Sequence, residues 1–421
     1  MARKQFLSFL LIFSLLFSCA SALAEADDDD DWDDNVDDAW EMEHPLHSGD
    51  YAYALLDDGT VEITSYGGAD TEIVIPDTLD GKPVTAIGER AFYYSLSLTS
   101  VTIPDSVTHI SQKAFSCCFQ LTSITLPSGL TAIESGTFDL CKSLTTIDIP
   151  DSVAAIADDA FIGCKALQSF TLSPNHPYFF LADDALCRTA DSTLLLYPNA
   201  REPRTYRIPD GITAISAYAF YDCDLLQSVV VPDSVTQLPA RAFSGCSALA
   251  SVSLPDSLTE VGIAAFSFCA ALTDIRLPAS ITEISAGLFS GCSSLATLEI
   301  PDSVTIIGGD AFVGCTSLTS MTIPDSVTEI GANPFPRSGL QSITLSLDNR
   351  LSPWWTAHSS AKLTIPCYPT SAGGRMPPTP SRRAFSPSGT TPLPMSIHCN
   401  PSRFLIPSPA SGIQRFYSAA G

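Results

Sequence analysis

The sequence predicts a solenoid, in which short coils stack and their strands form a parallel β-sheet. Apolar residues recur six, nine and eleven positions after the phenylalanine of each repeat, and the last two alternate with polar residues as in a half-buried strand. A period of roughly 20–29 residues with one short strand and one compact turn is typical of solenoids, whose usual role is binding. The repeat has a constant period of 23 in two runs, marked by these phenylalanines: Phe92, Phe115, Phe138 and Phe161, then Phe220, Phe243, Phe266, Phe289, Phe312 and Phe335.

The charge of the chain excludes some classes of partner. Its 421 residues include 21 basic and 46 acidic side chains, which give a net charge of −25. Nucleic acid binding needs a basic surface, and anionic lipid repels an acidic one. We therefore expect no nucleic acid partner.

Residues 1–24 are predicted to be a signal peptide. Two basic residues precede an apolar run from Phe6 to Phe17, and Ala22-Leu23-Ala24 fits the small-residue rule for signal peptidase. The run is too short to span a bilayer, and no later run is long enough, so we expect export without a transmembrane span. The alternative is a lipoprotein anchored through Cys19.

Two short segments precede the repeats. Residues 25–50 are predicted to be an acidic disordered linker, because nine of the twelve residues from Asp27 to Asp38 are Asp and repel one another. Residues 51–75 are predicted to form an N-terminal β-hairpin cap, because an Asp58-Gly59 turn separates two alternating runs. Such a cap would cover the open end of the first coil.

The repeat array is predicted to span residues 76–345. In each coil a proline follows the strand, where it can end strand pairing, and an Asp-Ser or Ser-Gly pair supplies a turn. The segment around each Ala-Phe pair is expected to form a short helical or 3-10 turn. An insertion at 173–207 interrupts the regular spacing between Phe161 and Phe220. We interpret the insertion as a variant coil, with a ligand-binding loop as the alternative.

The last segment, residues 346–421, lacks the repeat. From Asn349 onward it contains 12 Pro and six Arg but no Asp or Glu. Two explanations stay open. The segment is either a disordered basic region that contacts the cell wall or the acidic surface of the same protein, or the product of a frameshift that replaced the true C-terminal region.

The repeated motifs resemble those of a known family. Between Tyr51 and Leu345 the chain repeats I-P-D-S-V-T-x-I and A-F-x-G-C-x-x-L, which resemble the BspA-like class of bacterial leucine-rich repeats with 23-residue units. The resemblance implies a leucine-rich repeat solenoid on an exported or surface protein. Members of the family are associated with attachment to host proteins, extracellular matrix or other cells, so the resemblance also implies adhesion.

Eight cysteines lie in register, three residues after each phenylalanine. We predict a structural ladder of buried free thiols, because Ser95 and Ser338 occupy the same register and indicate a site for a small residue that bonds a loop. Disulfides between adjacent coils are the alternative, since export permits oxidation. No zinc site is expected, because no Cys-x-x-Cys pair or Cys/His cluster occurs. The ladder consists of Cys118, Cys141, Cys164, Cys223, Cys246, Cys269, Cys292 and Cys315.

Aspartates also recur in register, directly after the proline that ends each strand. They include Asp105, Asp151, Asp233 and Asp325. Stacked carboxylates could bind calcium between coils, but an aspartate in this position more often accepts hydrogen bonds from its own turn. We therefore predict no metal site.

The outward strand positions should line the open face of the sheet. Most are Ser or Thr, and aromatic residues are nearly absent, although tight interfaces favour Trp, Tyr and Arg. The face is predicted to be either a weak multivalent binding surface or merely solvated sheet. Its one distinctive charged patch consists of Asp274, Arg276 and Glu299, which we predict to be binding residues.

No motif indicates catalysis or a cofactor. The chain lacks a His-Glu-x-x-His motif, a phosphate-binding glycine-rich loop and a Gly-x-Ser-x-Gly elbow. The sequence therefore predicts a non-catalytic, secreted or cell-surface module that binds host or matrix proteins or other cell-surface proteins. A structural scaffold or spacer in a larger envelope assembly is the alternative. An enzyme that uses His176 of the insertion is a third.

Overall fold

The computed structural model describes residues 45–202, 204–345 and 362–364, which form a stack of β-coils. Within these residues the regular elements are 28 short strands, and no helix occurs. Most strands pair in parallel with the corresponding strand of the next coil. The predicted solenoid with a parallel sheet is thereby confirmed.

A three-stranded antiparallel meander precedes the first coil. The turn between its second and third strands is closed by the N–H of Gly59, which donates to the carbonyl of Leu56, and by the N–H of Thr60, which donates to Asp58. The predicted hairpin is therefore present, although its capping role remains a prediction. The first strands are β1 (Leu46–Ser48), β2 (Tyr51–Leu55), β3 (Val61–Tyr66), β4 (Glu72–Val74), β5 (Thr78–Leu79) and β6 (Lys82–Ile87).

Each regular coil contributes one strand to each of two separate columns. A three-residue strand carries one buried apolar side chain between two outward side chains, and a two-residue strand follows after the proline turn. The next strands alternate between these columns: β7 (Ser100–Thr102), β8 (His109–Ile110), β9 (Ser123–Thr125), β10 (Ala132–Ile133), β11 (Thr146–Asp148), β12 (Ala155–Ile156) and β13 (Ser169–Thr171).

The insertion replaces this regular geometry with an antiparallel meander of three four-residue strands. Its third strand is completely buried. A further strand of ordinary length then resumes the first column. The strands are β14 (Phe179–Ala182), β15 (Ala185–Arg188), β16 (Thr193–Leu196) and β17 (Thr205–Arg207).

The remaining coils extend both columns, but not without interruption. In two successive coils, residues 273–277 and 296–300 form no strand, so the first column consists of separate short sheets. The last strand pairs in parallel with the one before it and lies inside the range predicted as the C-terminal tail. These strands are β18 (Ala214–Ile215), β19 (Ser228–Val230), β20 (Gln237–Leu238), β21 (Ser251–Ser253), β22 (Glu260–Val261), β23 (Glu283–Ile284), β24 (Ile306–Ile307), β25 (Ser320–Ile323), β26 (Glu329–Ile330), β27 (Ser342–Leu345) and β28 (Lys362–Thr364).

A column of aromatic rings forms the centre of the core. The repeat phenylalanines stack on one another, with neighbouring ring centroids 4.7–6.1 Å apart. Tyr66 extends the column at the N-terminal side of Phe92, and Tyr197 extends it at the N-terminal side of Phe220. Burying one such ring contributes roughly 1.5–3 kcal/mol. The column is interrupted once, because Phe161 meets Phe170 edge-on and does not stack on Tyr197.

The segments around the phenylalanines form hydrogen-bonded turns where helical turns were expected. The residue two positions after the phenylalanine has a positive φ in all ten coils, for example +63° at Tyr94 and +71° at Gly314. A left-handed residue ends any right-handed helix. In addition, the N–H of Phe92 donates to the carbonyl of Ala114 in the next coil, so this N–H group joins two coils and does not form a helical hydrogen bond.

Candidate functional site

The open face carries the outward side chains of the three-residue strands. They are small, polar and exposed or half-buried in most coils, such as Ser123, Thr125, Ser251 and Ser253. Two residues of the face are arginines, Arg207 and Arg276, which extend from coils three repeats apart. Over residues 100–344 most side chains of the face are therefore short and polar, and Arg207 and Arg276 project beyond them.

The three predicted binding residues, Asp274, Arg276 and Glu299, are all exposed on this face. Arg276 makes its ion pair with Asp256 of the preceding coil, where Nη1 and Oδ1 are 3.1 Å apart. In the described residues, no ion pair joins it to Asp274 or Glu299. Arg276 also lines a cavity.

That cavity is a groove of about 580 Å³ along the edge where the strands meet the proline turns. We call it the arginine groove. Its residues come from four consecutive coils, centred on Tyr206, Val229, Val252 and Ile275. The residues that carry the following argument are Arg207, Asp210, Val230, Asp233, Asp256 and Arg276.

The groove exists because two coils with small outward side chains lie between two coils with arginines. The short side chains of Val230 and Ser253 form the floor of the groove, and the long side chains of Arg207 and Arg276 form its two ends. Each arginine bonds an aspartate of the turn edge: Arg207 Nη2 is 3.1 Å from Asp210 Oδ1, and Arg276 bonds Asp256. All four side chains are well exposed, so these pairs contribute little to stability and can exchange for a ligand.

Arg207 was missed in the sequence because it was assigned to the insertion, whereas Asp210 was recognised as one of the aspartates that recur after the strand prolines. The sequence nevertheless contained a signal that places Arg207 in a regular coil. The segment Thr205-Tyr206-Arg207-Ile208-Pro209-Asp210 follows the strand-proline-aspartate pattern of the repeat. Arg276 lies three whole repeats after Arg207, so the register alone aligns the two arginines.

All eight ladder cysteines are buried free thiols in the structure. Seven of them lie with Sγ 2.9–3.2 Å from the carbonyl oxygen of the phenylalanine in the preceding coil, as Cys246 does with Phe220. Cys223 instead faces Tyr197 O and Asn199 Oδ1 at longer distances of 3.9 and 3.7 Å. The thiols therefore tie each turn to the preceding coil.

Burial makes these thiols poor nucleophiles. Desolvation raises the pKa of Cys118 and of Cys315 to about 12, and it raises the pKa of Cys141 and Cys269 well above the ordinary value. A thiol reacts and binds metal as the thiolate. At these four positions burial therefore disfavours the reactive thiolate. Cys187 is likewise buried, and its pKa is raised to about 12 by the same cause.

The aspartates after the strand prolines bond neighbouring coils. Asp105 Oδ1 accepts hydrogen bonds from both the N–H and the hydroxyl of Ser128, each at 2.9 Å, and these bonds lower the pKa of Asp105. Asp151 accepts from Ser173 in a similar way. Within the residues that the structure describes, no group of three His, Cys, Asp or Glu side chains has the arrangement of a metal site.

Both ring nitrogens of His176 make hydrogen bonds to backbone groups. Its Nε2 lies 3.0 Å from the carbonyl of Pro150, and its Nδ1 accepts hydrogen bonds from the N–H groups of Tyr178 and Phe179. The ring is buried. Both nitrogens therefore hold the start of the insertion against the preceding coil, and neither is available for proton transfer to a substrate.

In the described part of the chain, no helix has the length and apolar character of a membrane span. The predicted signal peptide, residues 25–44 of the predicted acidic linker and most of the C-terminal segment lie outside the described residues. So does Cys19, the residue of the alternative lipid anchor. Residues 45–50, which were predicted as part of the disordered linker, instead contain β1.

Comparison with known proteins identifies the repeats. A family profile described as the BspA type leucine rich repeat region matches six copies, over residues 71–181 and 286–352. No curated protein matches the chain.

Solved bacterial structures are similar over most of their length. A leucine-rich repeat protein from Eubacterium ventriosum has a TM-score of 0.54 and 22% identity over 70% of this chain and 94% of its own, which supports the fold. A leucine rich cell surface protein from Faecalibacterium prausnitzii is 29% identical over 76% of this chain and 99% of its own, with a TM-score of 0.46. The Leucine Rich Repeat protein of T. pallidum is 30% identical over 54% of this chain and 91% of its own, with a TM-score of 0.35. The repeated motif, the coil that it builds and the profile match agree, and the chain belongs to the BspA-type leucine-rich repeat family.

Proposed function

We propose that the protein is exported and adheres to host proteins, matrix proteins or other cell-surface proteins through the open face of its repeats. The chain is built from protein-interaction repeats of a family of bacterial surface proteins. The observation that carries the proposal is the arginine groove, where two exposed arginines flank a floor of small side chains across four coils. Arginine is enriched among the residues that dominate binding energy at interfaces.

A non-catalytic role is part of the proposal. The repeat fold is typically a scaffold without catalysis. The side chains that carry chemistry elsewhere are used in the stack itself, since the ladder thiols bond carbonyls and His176 bonds backbone groups. Without an activated nucleophile or base in the groove, the arrangement binds but does not transform a ligand.

Secretion or a cell-surface location is the other part of the proposal. Its support is the N-terminal sequence, where a short apolar run is followed by Ala22-Leu23-Ala24. The family profile and the cell-surface relative from Faecalibacterium prausnitzii favour the same location.

The test measures binding to a panel of immobilised extracellular-matrix proteins by biolayer interferometry. The double variant R207A/R276A is expected to weaken binding at least tenfold, because it removes both cationic ends of the groove. R188A is the matched control, since the side chain of Arg188 is also solvent-accessible and paired with an aspartate but lies outside the groove. If the double variant binds like the control, the groove is not the binding site, and the scaffold alternative gains support.

A further inference from the structure

The centre of the arginine groove presents an unneutralised carboxylate. Asp210 and Asp256 are each paired with an arginine, whereas Asp233 lies between them and has no ion-pair partner among the described residues. Asp233 is exposed. The groove therefore offers a free anionic group in its middle and suits a ligand that carries a cation there.

Apolar residues lie at the base of the groove beside Asp233. Val231, Pro232, Leu254 and Pro255 line this base and are largely buried, so the surface that a ligand meets is formed mainly by polar and charged side chains. A proline-rich segment already favours the polyproline II conformation, so it loses little conformational entropy when it docks along a groove. The best ligand thus combines prolines with a basic side chain.

The same chain contains such a segment beyond β28. After Thr364 the chain includes 11 Pro and five Arg but no Asp or Glu, and Pro377-Pro378-Thr379-Pro380-Ser381-Arg382-Arg383 joins three prolines to two arginines. The described array is acidic. Charge complementarity therefore favours contact between this segment and the array.

The segment is long enough to reach Asp233. Six coil steps separate Thr364 from the coil of Asp233, which corresponds to about 29 Å at the spacing of neighbouring strands. The chain from Thr364 to Arg382 can span up to about 60 Å when it is extended. A tether of this kind gives an effective concentration on the order of millimolar, so that even a weak contact is populated.

We propose that residues 377–383 dock in the arginine groove, with an arginine against Asp233 and the prolines extended along the groove. The contact occupies the surface to which the proposed function assigns partner binding, and this regulatory consequence rests on that proposal. A partner must then displace the segment, which makes it an internal competitor.

The first test is limited digestion of the full chain with trypsin, followed by mass spectrometry. Docking shields Arg382 and Arg383, whereas Arg415 near the end of the chain serves as an internal reference. We expect D233N to raise cleavage at Arg383 at least threefold relative to cleavage at Arg415. The matched control is D302N, because Asp302 is exposed and has the same register in a coil outside the groove. An unchanged ratio in D233N, or an equal rise in D302N, would overturn the proposal.

A second measurement locates the contact directly. In the R382K chain, a carbodiimide can couple the new amine to a nearby carboxylate, and we expect the main cross-link to join position 382 to Asp233. Cross-links spread evenly over Asp233, Asp302 and other exposed acids would mean diffuse attraction without docking, and would refute the proposal. Neither measurement needs a partner, so a failure here leaves the proposed function standing.

The regulatory consequence has its own test. Once a matrix partner has been found, replacing Arg382 and Arg383 by Gln is expected to raise the affinity of the full chain at least threefold, because the competitor is weakened. An unchanged affinity would show that the segment does not compete for the groove, even if the digestion and cross-linking results hold.

Discussion

Cysteine in this array acts as a small hydrogen-bond donor between coils. The carbonyl of Phe220 accepts from the N–H of Cys223 in its own turn and from the thiol of Cys246 in the next coil. The carbonyl of Phe220 thus takes part both in closing its own turn and in joining two coils. Serine can close the turn at the edge of the array, as the N–H of Ser338 does for the carbonyl of Phe335.

We expect C246A to lower the free energy of unfolding by about 1–2 kcal/mol, since it removes a buried hydrogen bond and leaves a small cavity. C246S should lower it less, because the hydroxyl keeps a donor near Phe220 O. Urea denaturation followed by circular dichroism measures both. Equal losses for the two variants would show that volume, and not the hydrogen bond, determines the choice of residue.

Asp139 gives a pH dependence at the same scale. Burial raises its pKa to about 6, the nearby Asp159 adds to the rise, and Lys113 opposes it. The unfolded carboxyl titrates near pH 4. Between about pH 4 and pH 6 the folded state therefore keeps a proton that the unfolded state has lost, and the free energy of unfolding falls as pH rises through this window.

We therefore expect D139N to gain stability relative to the wild type as pH rises from 4 to 7, by roughly 1 kcal/mol after allowance for partial exposure. Urea denaturation at several pH values provides the comparison. The control is D158N, which changes an exposed aspartate of the following coil. A difference between D139N and wild type that stays constant with pH would contradict the assignment.

At the scale of one coil, the turn after each phenylalanine requires a left-handed residue. Glycine adopts this conformation without strain, and it occupies the position in four of the ten coils, at Gly163, Gly245, Gly291 and Gly314. The others strain a larger side chain, as at Phe268, whose ring covers the site of a Cβ at Gly291. These positive φ angles explain why the turns are not helical.

We expect G314A to lower the free energy of unfolding by about 1 kcal/mol, because alanine is disfavoured at a φ of +71°. A Cβ there would make only ordinary contact with Gly291, so the backbone effect is isolated. G211A is the control, since its φ is not left-handed and open space surrounds it. Thermal unfolding of both variants checks the difference, and a G314A loss no larger than that of G211A would refute the argument.

The repeat length was enough to predict the coils but not every member of the aromatic column. Tyr66 and Tyr197 stack like the phenylalanines, yet both are a different residue type, and Tyr66 also lies outside the register of the repeat.

Arg276 was found in sequence because it interrupts a run of small residues. The arginine groove was not found, because it depends on what lies between Arg207 and Arg276 once four coils are stacked.

At the scale of the whole array, the described core has two parts that meet at the insertion. One cluster of buried side chains includes the rings from Phe92 to Phe161, and the other includes the rings from Tyr197 to Phe312. No strand pair joins β12 or β13 to a strand beyond residue 178 in the described chain. Coils of a solenoid are stabilised by their neighbours, so this junction should limit cooperativity.

We expect F138A to accelerate hydrogen exchange in residues 82–171 much more than in residues 214–330, and F289A to do the reverse. Each change should cost about 3–5 kcal/mol within its own part, as for other buried phenylalanines. Hydrogen exchange followed by mass spectrometry resolves the two parts. If either variant accelerates exchange equally on both sides of the insertion, the array unfolds as one unit.

The parallel hydrogen bonds between coils also determine how the array responds to tension. Because each bond joins one coil to the next, a force applied between the two ends loads the coil contacts in series. The weakest contact opens first and releases one repeat, whose extended chain lengthens the molecule by about 75 Å before the next contact is loaded. An attachment that rests on such an array extends in steps under flow, and each step dissipates mechanical work that would otherwise act on the bound partner.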